Sequence, residues 1–505
     1  MSQGHPEAYG KLLEILREVD DLQRAAAVLS WDQQCYMPPG GASARGEQLA
    51  TLERVAHERF TRPDIGELLD RLDGWAKGLE QGSAEASLIR VTRREYDRAR
   101  RVPQDLVHRL SRARTRAFDA WLQAREERRF ATFAGPFADL VALEVELTEA
   151  LGYAETRYDA LLDQSEPGVT TRALERLFGR LREVQVPLVQ AIAEKPRRPG
   201  PEGVVAPAGS EGAIWEMCQS LLRDIGFDFR RGRLDRSVHP FTTMFSVGDV
   251  RLTVRPNGLN LHNTVFTVLH EGGHALYNQG IPAEFEGTPL AGGASGGVHE
   301  SQSRLWENLV GRSREFWEYY LPRARQHFPA LAELRPEEAY RLVNAAGPSL
   351  IRTDADEVTY NLHIILRFEI ERALLDGDLP AAEVPGAWAE KMRAYLGLTP
   401  ADDLEGALQD IHWAWGGFAT FPSYTLGNVI SAQLWDAARA AHPEIPDQVR
   451  RGDFGTLLGW LREHVHAHGA KFTPDELVQR ATGQHLDPEP YLLYLRHKYG
   501  ELYEL

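Results

Sequence analysis

His270, Glu271 and His274 form a His-Glu-x-x-His pattern within the segment 268–276. On a helix, residues four positions apart project from the same face, so both imidazoles can bind one metal ion. Glu271 then lies beside them, where it can act as a base toward a water molecule that the metal activates. The alternative is a pair of histidines packed in a protein core. The spacing favours metal-dependent hydrolysis, and the chemistry of zinc peptidases in particular.

The segment around this pattern is predicted to be a buried helix. Asn263 and Thr264 are possible N-caps, an apolar series follows them, and Gly280 is the expected end. Gly272 and Gly273 lie in the middle, although each glycine costs about 1 kcal/mol relative to alanine inside a helix. We therefore expect another backbone or a ligand to approach the helix closely at these two glycines.

A catalytic zinc site usually takes three protein ligands and leaves a fourth position open. The third ligand is expected to follow the glycine-rich loop 291–298, in the segment 299–310, which is predicted to be helical. The candidates there are His299, Glu300 and Glu307. Spacing alone permits any of the three.

Several motifs occur in a fixed order along the whole chain. They are Trp31-Asp32-Gln33-Gln34, Met37-Pro38, His239-Pro240-Phe241, Asp249-x-Arg251-x-Thr253, His270-Glu271-x-x-His274, His299-Glu300-Ser301, Ile351-Arg352-x-x-Ala355-Asp356 and Gly406-x-x-Gln409-Asp410-x-His412-Trp413. In type, spacing and order these motifs resemble those of the M32 metallocarboxypeptidases, the carboxypeptidase Taq family. The resemblance extends over nearly the entire sequence.

The resemblance implies one zinc ion per chain, bound by His270, His274 and Glu300, with Glu271 as general base and proton shuttle. Two imidazoles and a carboxylate suit this role, because zinc lowers the pKa of a coordinated water toward neutrality. Ligands of this type also accept cobalt and manganese.

Four further residues are expected around the metal ligands. His299 and Glu307 are expected to support the ligands through hydrogen bonds. Tyr424 and His412, by resemblance to related His-Glu-x-x-His peptidases, are candidates to stabilise the negative oxygen that forms on the attacked carbonyl. The alternative for Tyr424 and His412 is that both are packed aromatic side chains in a helical core.

A peptidase that acts at a free C-terminus must recognise a carboxylate, which the planar donor fork of arginine binds with two hydrogen bonds. Arg352 and Arg251 are the candidates, and Arg352 is favoured because the family motif implies a closed end of the groove there. The alternative for each arginine is a structural ion pair, Arg251 with Asp249 or Arg352 with Asp356.

The segment 238–256 carries the clearest hairpin signal of the chain, and it directly precedes the metal helix. An edge strand at this place can pair with an extended substrate, main chain to main chain. The alternative is a purely structural hairpin. His239, near its start, is expected either to donate to a substrate carbonyl or to cap the turn.

The remaining sequence is dominated by amphipathic helical patterns, over 7–35, 84–128, 134–165, 171–195, 210–225, 336–376 and 448–467. The predicted fold class is therefore mainly α, with a small β-hairpin or sheet next to the metal helix. Because motifs between residues 239 and 424 must converge on one metal, a single peptidase domain over 1–505 is expected. The resemblance implies a deep central groove between an N-terminal helical cover, 1–200, and a metal-site body, 201–505.

Composition argues against several other classes of protein. The formal net charge of −16 disfavours nucleic acid and anionic membranes as partners, and acidic residues interleave the arginine-rich segment 90–129. No apolar run is long enough to cross a membrane, and no signal peptide is evident. Two cysteines, Cys35 and Cys218, are typical of a cytoplasmic protein. The resemblance implies a homodimer.

The sequence thus predicts a zinc carboxypeptidase that releases single C-terminal residues from peptides with broad preference. An oligoendopeptidase or a dipeptidyl carboxypeptidase, with the same zinc chemistry but a differently blocked groove, is the alternative. A non-catalytic peptide-binding protein with a structural zinc is a further alternative. Glu271 disfavours that alternative, since a structural metal site needs no base.

Overall fold

The computed structural model describes residues 6–255 and 259–505, and helices make up most of it. Eight helices form the N-terminal part: α1 (Glu7–Cys35), α2 (Ala42–Phe60), α3 (Pro63–Ala76), α4 (Ala84–Arg101), α5 (Gln104–Glu127), α6 (Ala131–Leu151), α7 (Arg157–Ser165) and α8 (Thr171–Ala193). The predicted mainly α fold class is confirmed, and buried apolar side chains from α1 onward belong to one continuous core cluster.

Four of the predicted helical runs, 84–128, 134–165, 336–376 and 448–467, are each divided into two helices. The first two show how backbone chemistry ends a helix. The run 84–128 is interrupted at Val102, whose ψ of 117° is extended, because a residue before proline disfavours the helical conformation. The run 134–165 is interrupted at Gly152, whose φ of 75° lies in a region that glycine adopts without strain. Periodicity identified the helices, whereas these local breaks decide their lengths.

Twelve α-helices and a small sheet make up the described residues of the C-terminal part. The strands are β1 (Gly232–Arg236), β2 (Thr242–Ser246) and β3 (Asp249–Val254), and the helices are α9 (Glu211–Asp224), α10 (Thr267–Gly280), α11 (Gly296–Arg304), α12 (Arg314–Ala324), α13 (Pro336–Val343), α14 (Tyr360–Asp376), α15 (Val384–Leu396), α16 (Phe421–Ala441), α17 (Ile445–Arg450), α18 (Gly455–His464), α19 (Pro474–Thr482) and α20 (Glu489–Tyr503).

The three strands are ordered β1-β3-β2. β2 and β3 form the predicted antiparallel hairpin, while β1 pairs in parallel with β3 and was not predicted. Pro256, at the end of the predicted hairpin segment, lies outside the described residues. β2 is an edge strand, and both β2 and β3 pack against α10. The hairpin therefore places a strand edge beside the helix with the His-Glu-x-x-His pattern.

The metal helix α10 ends at Gly280 as predicted, but its beginning differs. A π-helical segment, His262–Phe266, leads directly into α10. The Asn263 amide N–H donates to Oδ1 of Asn260 at 2.8 Å, so Asn260 provides the cap, and the prediction of Asn263 or Thr264 was wrong. A second π-helical segment, Leu305–Val310, continues α11, so the predicted helical character of 299–310 is confirmed.

The two central glycines of α10 allow close packing on two sides. A Cβ atom at Gly273 would lie 2.7 Å from Cα of Ser303 on α11, so the two backbones are in direct contact. A Cβ atom at Gly272 would lie 2.9 Å from the Ile225 side chain. The expected approach of another backbone is confirmed at Gly273, and at Gly272 side chains next to α9 make the approach.

A cavity of about 1140 Å³ separates the N-terminal helices from the loop 288–292. Its walls come from α1, α2, α4, α5 and α6 on one side, and Trp415 lines it close to the segment that carries His412. None of the described helices combines the length and apolar character that a bilayer crossing requires.

Candidate metal centre

His270, His274 and Glu300 converge on one point. One side-chain ligand atom of each residue lies within 4.8 Å of the other two. Oε2 of Glu300 is 3.7 Å from Nε2 of His270 and 3.3 Å from Nε2 of His274. α10 supplies both histidines, and α11, packed backbone to backbone against it, supplies Glu300.

These residues fit a divalent metal ion. Zinc bonds of about 2.0–2.2 Å in a tetrahedral arrangement separate the ligand atoms by about 3.3–3.6 Å, close to the separations found here. Two imidazoles and one carboxylate also form one of the ligand sets of catalytic zinc sites, which keep one position open. The histidine side chains are 20% and 16% exposed, so the site remains accessible from solvent.

Hydrogen bonds orient both imidazoles. Nδ1 of His270 lies 2.8 Å from Oε2 of Glu307, and Nδ1 of His274 lies 2.5 Å from Nδ1 of His299. The other ring nitrogen of His299 lies 3.0 Å from Oδ1 of Asn278. Burial and the neighbouring His274 lower the pKa of His299 to about 3, so its neutral ring accepts from His274. With Nδ1 engaged in these hydrogen bonds, Nε2 of each histidine is the nitrogen that would bind a metal ion.

Arg304 pairs with the two carboxylates of the centre. It donates to Oε1 of Glu300 at 2.8 Å and to Oε2 of Glu307 at 3.2 Å. Burial alone would raise the pKa of both glutamates, but Arg304 and the adjacent His270 hold both pKa values well below the usual range. Both carboxylates are therefore anionic, as a metal ligand and its support must be.

Glu271 lies beside the metal ligands and is 6% exposed. The hydroxyl group of Thr242, the first residue of β2, lies 2.7 Å from Oε2 of Glu271 and donates to it. This hydrogen bond fixes one carboxylate oxygen and leaves Oε1 for another partner. The edge strand and the candidate base are therefore directly connected.

α16 also packs against α11. Gly427 makes this possible, because a Cβ atom there would lie 2.6 Å from Cβ of Glu300. Tyr424 lies one turn earlier on the same helix, and its hydroxyl is 3.1 Å from Nε2 of His412. The structure therefore brings Tyr424 and His412 together, next to the helix that carries Glu300.

Arg352 is buried in a cluster of opposite charges. Its Nε and Nη2 donate to Oδ1 of Asp410 at 3.0 and 2.6 Å, and its Nη1 donates to the hydroxyl of Tyr360 at 3.0 Å. Arg367 donates to the other oxygen of Asp410 at 2.7 Å. The suggested pairing of Arg352 with Asp356 was wrong, because the Asp356 carboxylate instead accepts backbone N–H groups of residues 347, 358 and 359.

Arg251 and His239 are placed differently from Arg352. Arg251 forms the ion pair with Asp249 that was the alternative interpretation, at 2.9 and 2.8 Å, and it stacks on the ring of Trp31. The side chain of His239 is exposed, and its backbone carbonyl accepts a hydrogen bond from the Ser237 hydroxyl.

Three residues that support the candidate site were not predicted from the sequence: Thr242 and Arg304 at the metal centre, and Arg367 beside Arg352. Arg304 could have been predicted from the sequence, because a basic residue four positions after a glutamate on a helix can form an ion pair with it. Thr242 could not, since its contact with Glu271 depends on how β2 packs against α10. Arg367 meets Asp410 across 43 residues of sequence.

Comparisons with known proteins agree with this architecture. The profile of the family described as carboxypeptidase Taq (M32) metallopeptidase matches residues 11–499. The chain is 42% identical to thermostable carboxypeptidase 1 of Thermus thermophilus, over 99% of each chain, and 35% identical to carboxypeptidase 1 of Bacillus subtilis, over 98% of each chain. A crystal structure of the M32 carboxypeptidase from Deinococcus radiodurans R1 is 41% identical and superposes with a TM-score of 0.93, covering 99% of this chain and 100% of the other.

The resemblance inferred from the separated motifs is thereby confirmed. The family profile covers almost the whole sequence, and these relatives align over nearly their full lengths. The protein belongs to the carboxypeptidase Taq (M32) family of metallopeptidases and is a metallocarboxypeptidase.

Proposed function

We propose that this metallocarboxypeptidase uses one zinc ion, held by His270, His274 and Glu300, to release single C-terminal residues from peptides with broad preference. The observation that carries the proposal is the convergence of these three ligand atoms beside Glu271. Zinc would supply Lewis-acid polarisation of the scissile carbonyl and would acidify a water molecule. The ligand set also accepts cobalt and manganese.

Glu271 is the proposed base. Its Oε1 takes a proton from the attacking water and later delivers it to the nitrogen of the departing residue. Thr242 holds Oε2 through the hydrogen bond at 2.7 Å, so the carboxylate cannot rotate freely between these two events. Because β2 is an edge strand, it can also pair with the main chain of an extended peptide, with exposed His239 near the same end.

Tyr424 and His412 are proposed to act together on the negative oxygen, Tyr424 by donating to it and His412 by donating to the Tyr424 hydroxyl. Burial raises the pKa of Tyr424, so its hydroxyl keeps its proton. Burial and the nearby Arg352 lower the pKa of His412 to about 4, so the ring is neutral. If Nε2 of His412 donates to the Tyr424 oxygen, the Tyr424 proton is free for the carbonyl oxygen of the substrate.

Arg352 is the proposed binding group for the substrate carboxylate. A guanidinium has five N–H groups, and three of them are used by Asp410 and Tyr360. Two N–H groups remain, which is the number that one carboxylate accepts. Two arginines, Arg352 and Arg367, share the single carboxylate of Asp410, so the cluster retains one positive charge for an anionic chain end.

Replacing Arg352 with alanine is expected to reduce kcat/KM for peptides with a free carboxylate by about 30-fold or more. This corresponds to a loss of about 2–5 kcal/mol of transition-state stabilisation. Asp410 keeps Arg367 as its partner, so the fold is expected to survive the change. Steady-state kinetics on one short peptide would measure the effect. Arg251→Ala is the matched control and should leave kcat/KM nearly unchanged. A loss confined to Arg251→Ala would transfer the carboxylate-binding role to Arg251.

Replacing Thr242 with valine is expected to lower kcat by about 10- to 100-fold, because a hydrogen bond to a charged group is worth about 1.5–3 kcal/mol. Valine has nearly the shape of threonine but no hydroxyl to hold Glu271. Thr242→Ser, which retains the hydroxyl, should recover most of the rate. Equal activities of the valine and serine variants, measured with full metal occupancy, would contradict the role.

Product analysis tests the proposed reaction as a whole. A mixed-sequence peptide would be incubated with the zinc-loaded protein and its products followed by mass spectrometry, beside a C-terminally amidated twin and a chelator-treated sample. We expect a ladder that loses single C-terminal residues, and no cleavage of the amide or after chelation. Internal fragments or released dipeptides would contradict exopeptidase action on single residues and the role of Arg352.

Three broader features also remain proposals. A single peptidase domain over 1–505, with a cover over 1–200 and a metal-site body over 201–505, is supported by the cavity of about 1140 Å³ against the N-terminal helices. A cytoplasmic location is supported by the two free cysteines. Assembly as a homodimer rests on the family resemblance alone.

A further inference from the structure

A completely buried carboxyl group lies outside the reaction described above. Glu166 follows the last residue of α7 and is 0% exposed. Its Oε1 accepts hydrogen bonds from the backbone N–H of Gly297 and from the hydroxyl of Ser423, both at 2.5 Å. Gly297 lies in the first turn of α11 and Ser423 in the first turn of α16. One oxygen atom therefore joins three helices.

Two glycines at the start of α11 make this junction possible. A Cβ atom at Gly297 would lie 2.9 Å from Cβ of Leu426 and 3.1 Å from Oε2 of Glu166. A Cβ atom at Gly296 would lie 2.8 Å from Oγ of Ser423. At Gly292, in the loop before α11, a Cβ atom would meet nothing within 4 Å. The glycine pair at the start of α11 thus permits the close approach of Glu166 and α16.

The two helices joined at Glu166 carry the proposed catalytic groups. Glu300 lies one turn after Gly297 on α11, and Tyr424 directly follows Ser423 on α16. We propose that Glu166 is a positioning residue that sets α11 and α16 in register, so that Glu300 and Tyr424 reach the metal site together. This inference rests on the proposed function, which assigns roles to Glu300 and Tyr424.

Glu166 positions α11 and α16 by accepting hydrogen bonds, and this does not require a negative charge. Burial raises the pKa of Glu166 to about 7, against the lowering effect of the hydrogen bonds from Ser423 and Gly297. Oε2 is buried and has no hydrogen-bond partner among the described residues. A glutamine at position 166 keeps one acceptor oxygen for Gly297 and Ser423 in the same shape, so it should preserve the register.

The test compares Glu166→Ala with Glu166→Gln by zinc affinity, kcat, KM and melting temperature. Removing partners that support metal ligands typically costs about 10- to 100-fold in affinity or activity, and we expect Glu166→Ala to fall in this range for kcat and zinc affinity. KM should change less than kcat, and Glu166→Gln should remain within about 3-fold of the unchanged protein.

Asp159→Ala is the matched control. Asp159 lies on α7 as well and accepts from the backbone N–H and hydroxyl of Thr171, so it joins two helices without contacting α11 or α16. The Asp159→Ala change should lower the melting temperature while kcat and zinc affinity stay unchanged. If Glu166→Ala behaves as Asp159→Ala does, Glu166 is structural only and the inference is overturned.

Two additional variants keep the test decisive. If Glu166→Ala does not fold, Ser423→Ala removes one of its partners and should lower kcat while leaving a folded protein, and an unchanged kcat and zinc affinity would overturn the inference. Glu300→Ala, measured in parallel, distinguishes a failure of the proposed ligand set from a failure of the positioning role of Glu166. Zinc retained by Glu300→Ala would contradict the proposed ligand set, whereas zinc lost there but unaffected in Glu166→Ala would contradict only the positioning role.

Discussion

Replacing Glu271 with glutamine is expected to reduce kcat by about 10²- to 10⁴-fold, the usual contribution of a positioned acid–base group. Glutamine has the shape of glutamate and can still occupy the site beside Thr242, but its amide cannot take a proton from water. Glu271 is not among the three converging ligand residues, so zinc should stay bound. Single-turnover kinetics with metal analysis of the same sample would measure both quantities.

The matched control for this change is Glu307→Gln. This variant has the same substitution in the same centre, but Glu307 orients His270 and has no proposed role in proton transfer. With saturating zinc, its kcat should remain far above that of the Glu271 variant. Near-normal kcat in Glu271→Gln would remove Glu271 from the role of base, even if every metal ligand were assigned correctly.

Replacing Glu300 with alanine is expected to weaken zinc binding by more than about 100-fold, beyond the 10- to 100-fold effects of supporting residues. The change removes one of three converging ligand atoms and leaves Arg304 beside the site without that partner. A positive charge would then face the metal. Competition with a chelator of known affinity would measure the loss, and activity should fall in parallel.

His299→Asn and Glu307→Gln are the comparison variants for this prediction. Both alter hydrogen bonds to a ligating histidine and should weaken zinc binding less than Glu300→Ala does. Stoichiometric zinc in Glu300→Ala, together with its loss in either comparison variant, would transfer the third ligand position to His299 or Glu307.

Most helices could be predicted from the sequence, because the spacing of apolar residues reports which face is buried. α1 matches the predicted range 7–35 at both ends, and α8 begins with the predicted range 171–195 and ends two residues before it. β1 could not be predicted in this way. Its sequence, Gly-Arg-Leu-Asp-Arg, is mostly polar, and its parallel partner β3 lies beyond an intervening strand. Such a strand is defined by pairing rather than by its own composition.

The site was predictable only as far as its contacts are local. His270 and His274 share one helix face, so their spacing was sufficient. The choice between His299, Glu300 and Glu307 depends on the contact of α10 with α11 at Gly273, which no spacing rule reports. The partner of Arg352 illustrates the same limit, since Asp410 is 58 residues away while the nearer Asp356 binds backbone N–H groups.

The packing of Glu300 against Gly427 has a consequence for the thermodynamics of metal binding. A free glutamate side chain loses up to about 2 kcal/mol of rotamer freedom when it is ordered. Here Cβ and Cγ of Glu300 already rest against the backbone of α16, and Arg304 fixes one carboxylate oxygen. That entropy is lost when the chain folds, so little of it opposes the binding of the ion. Gly427 would thereby contribute to the affinity for the ion that Glu300 is proposed to bind, although it has no side chain of its own.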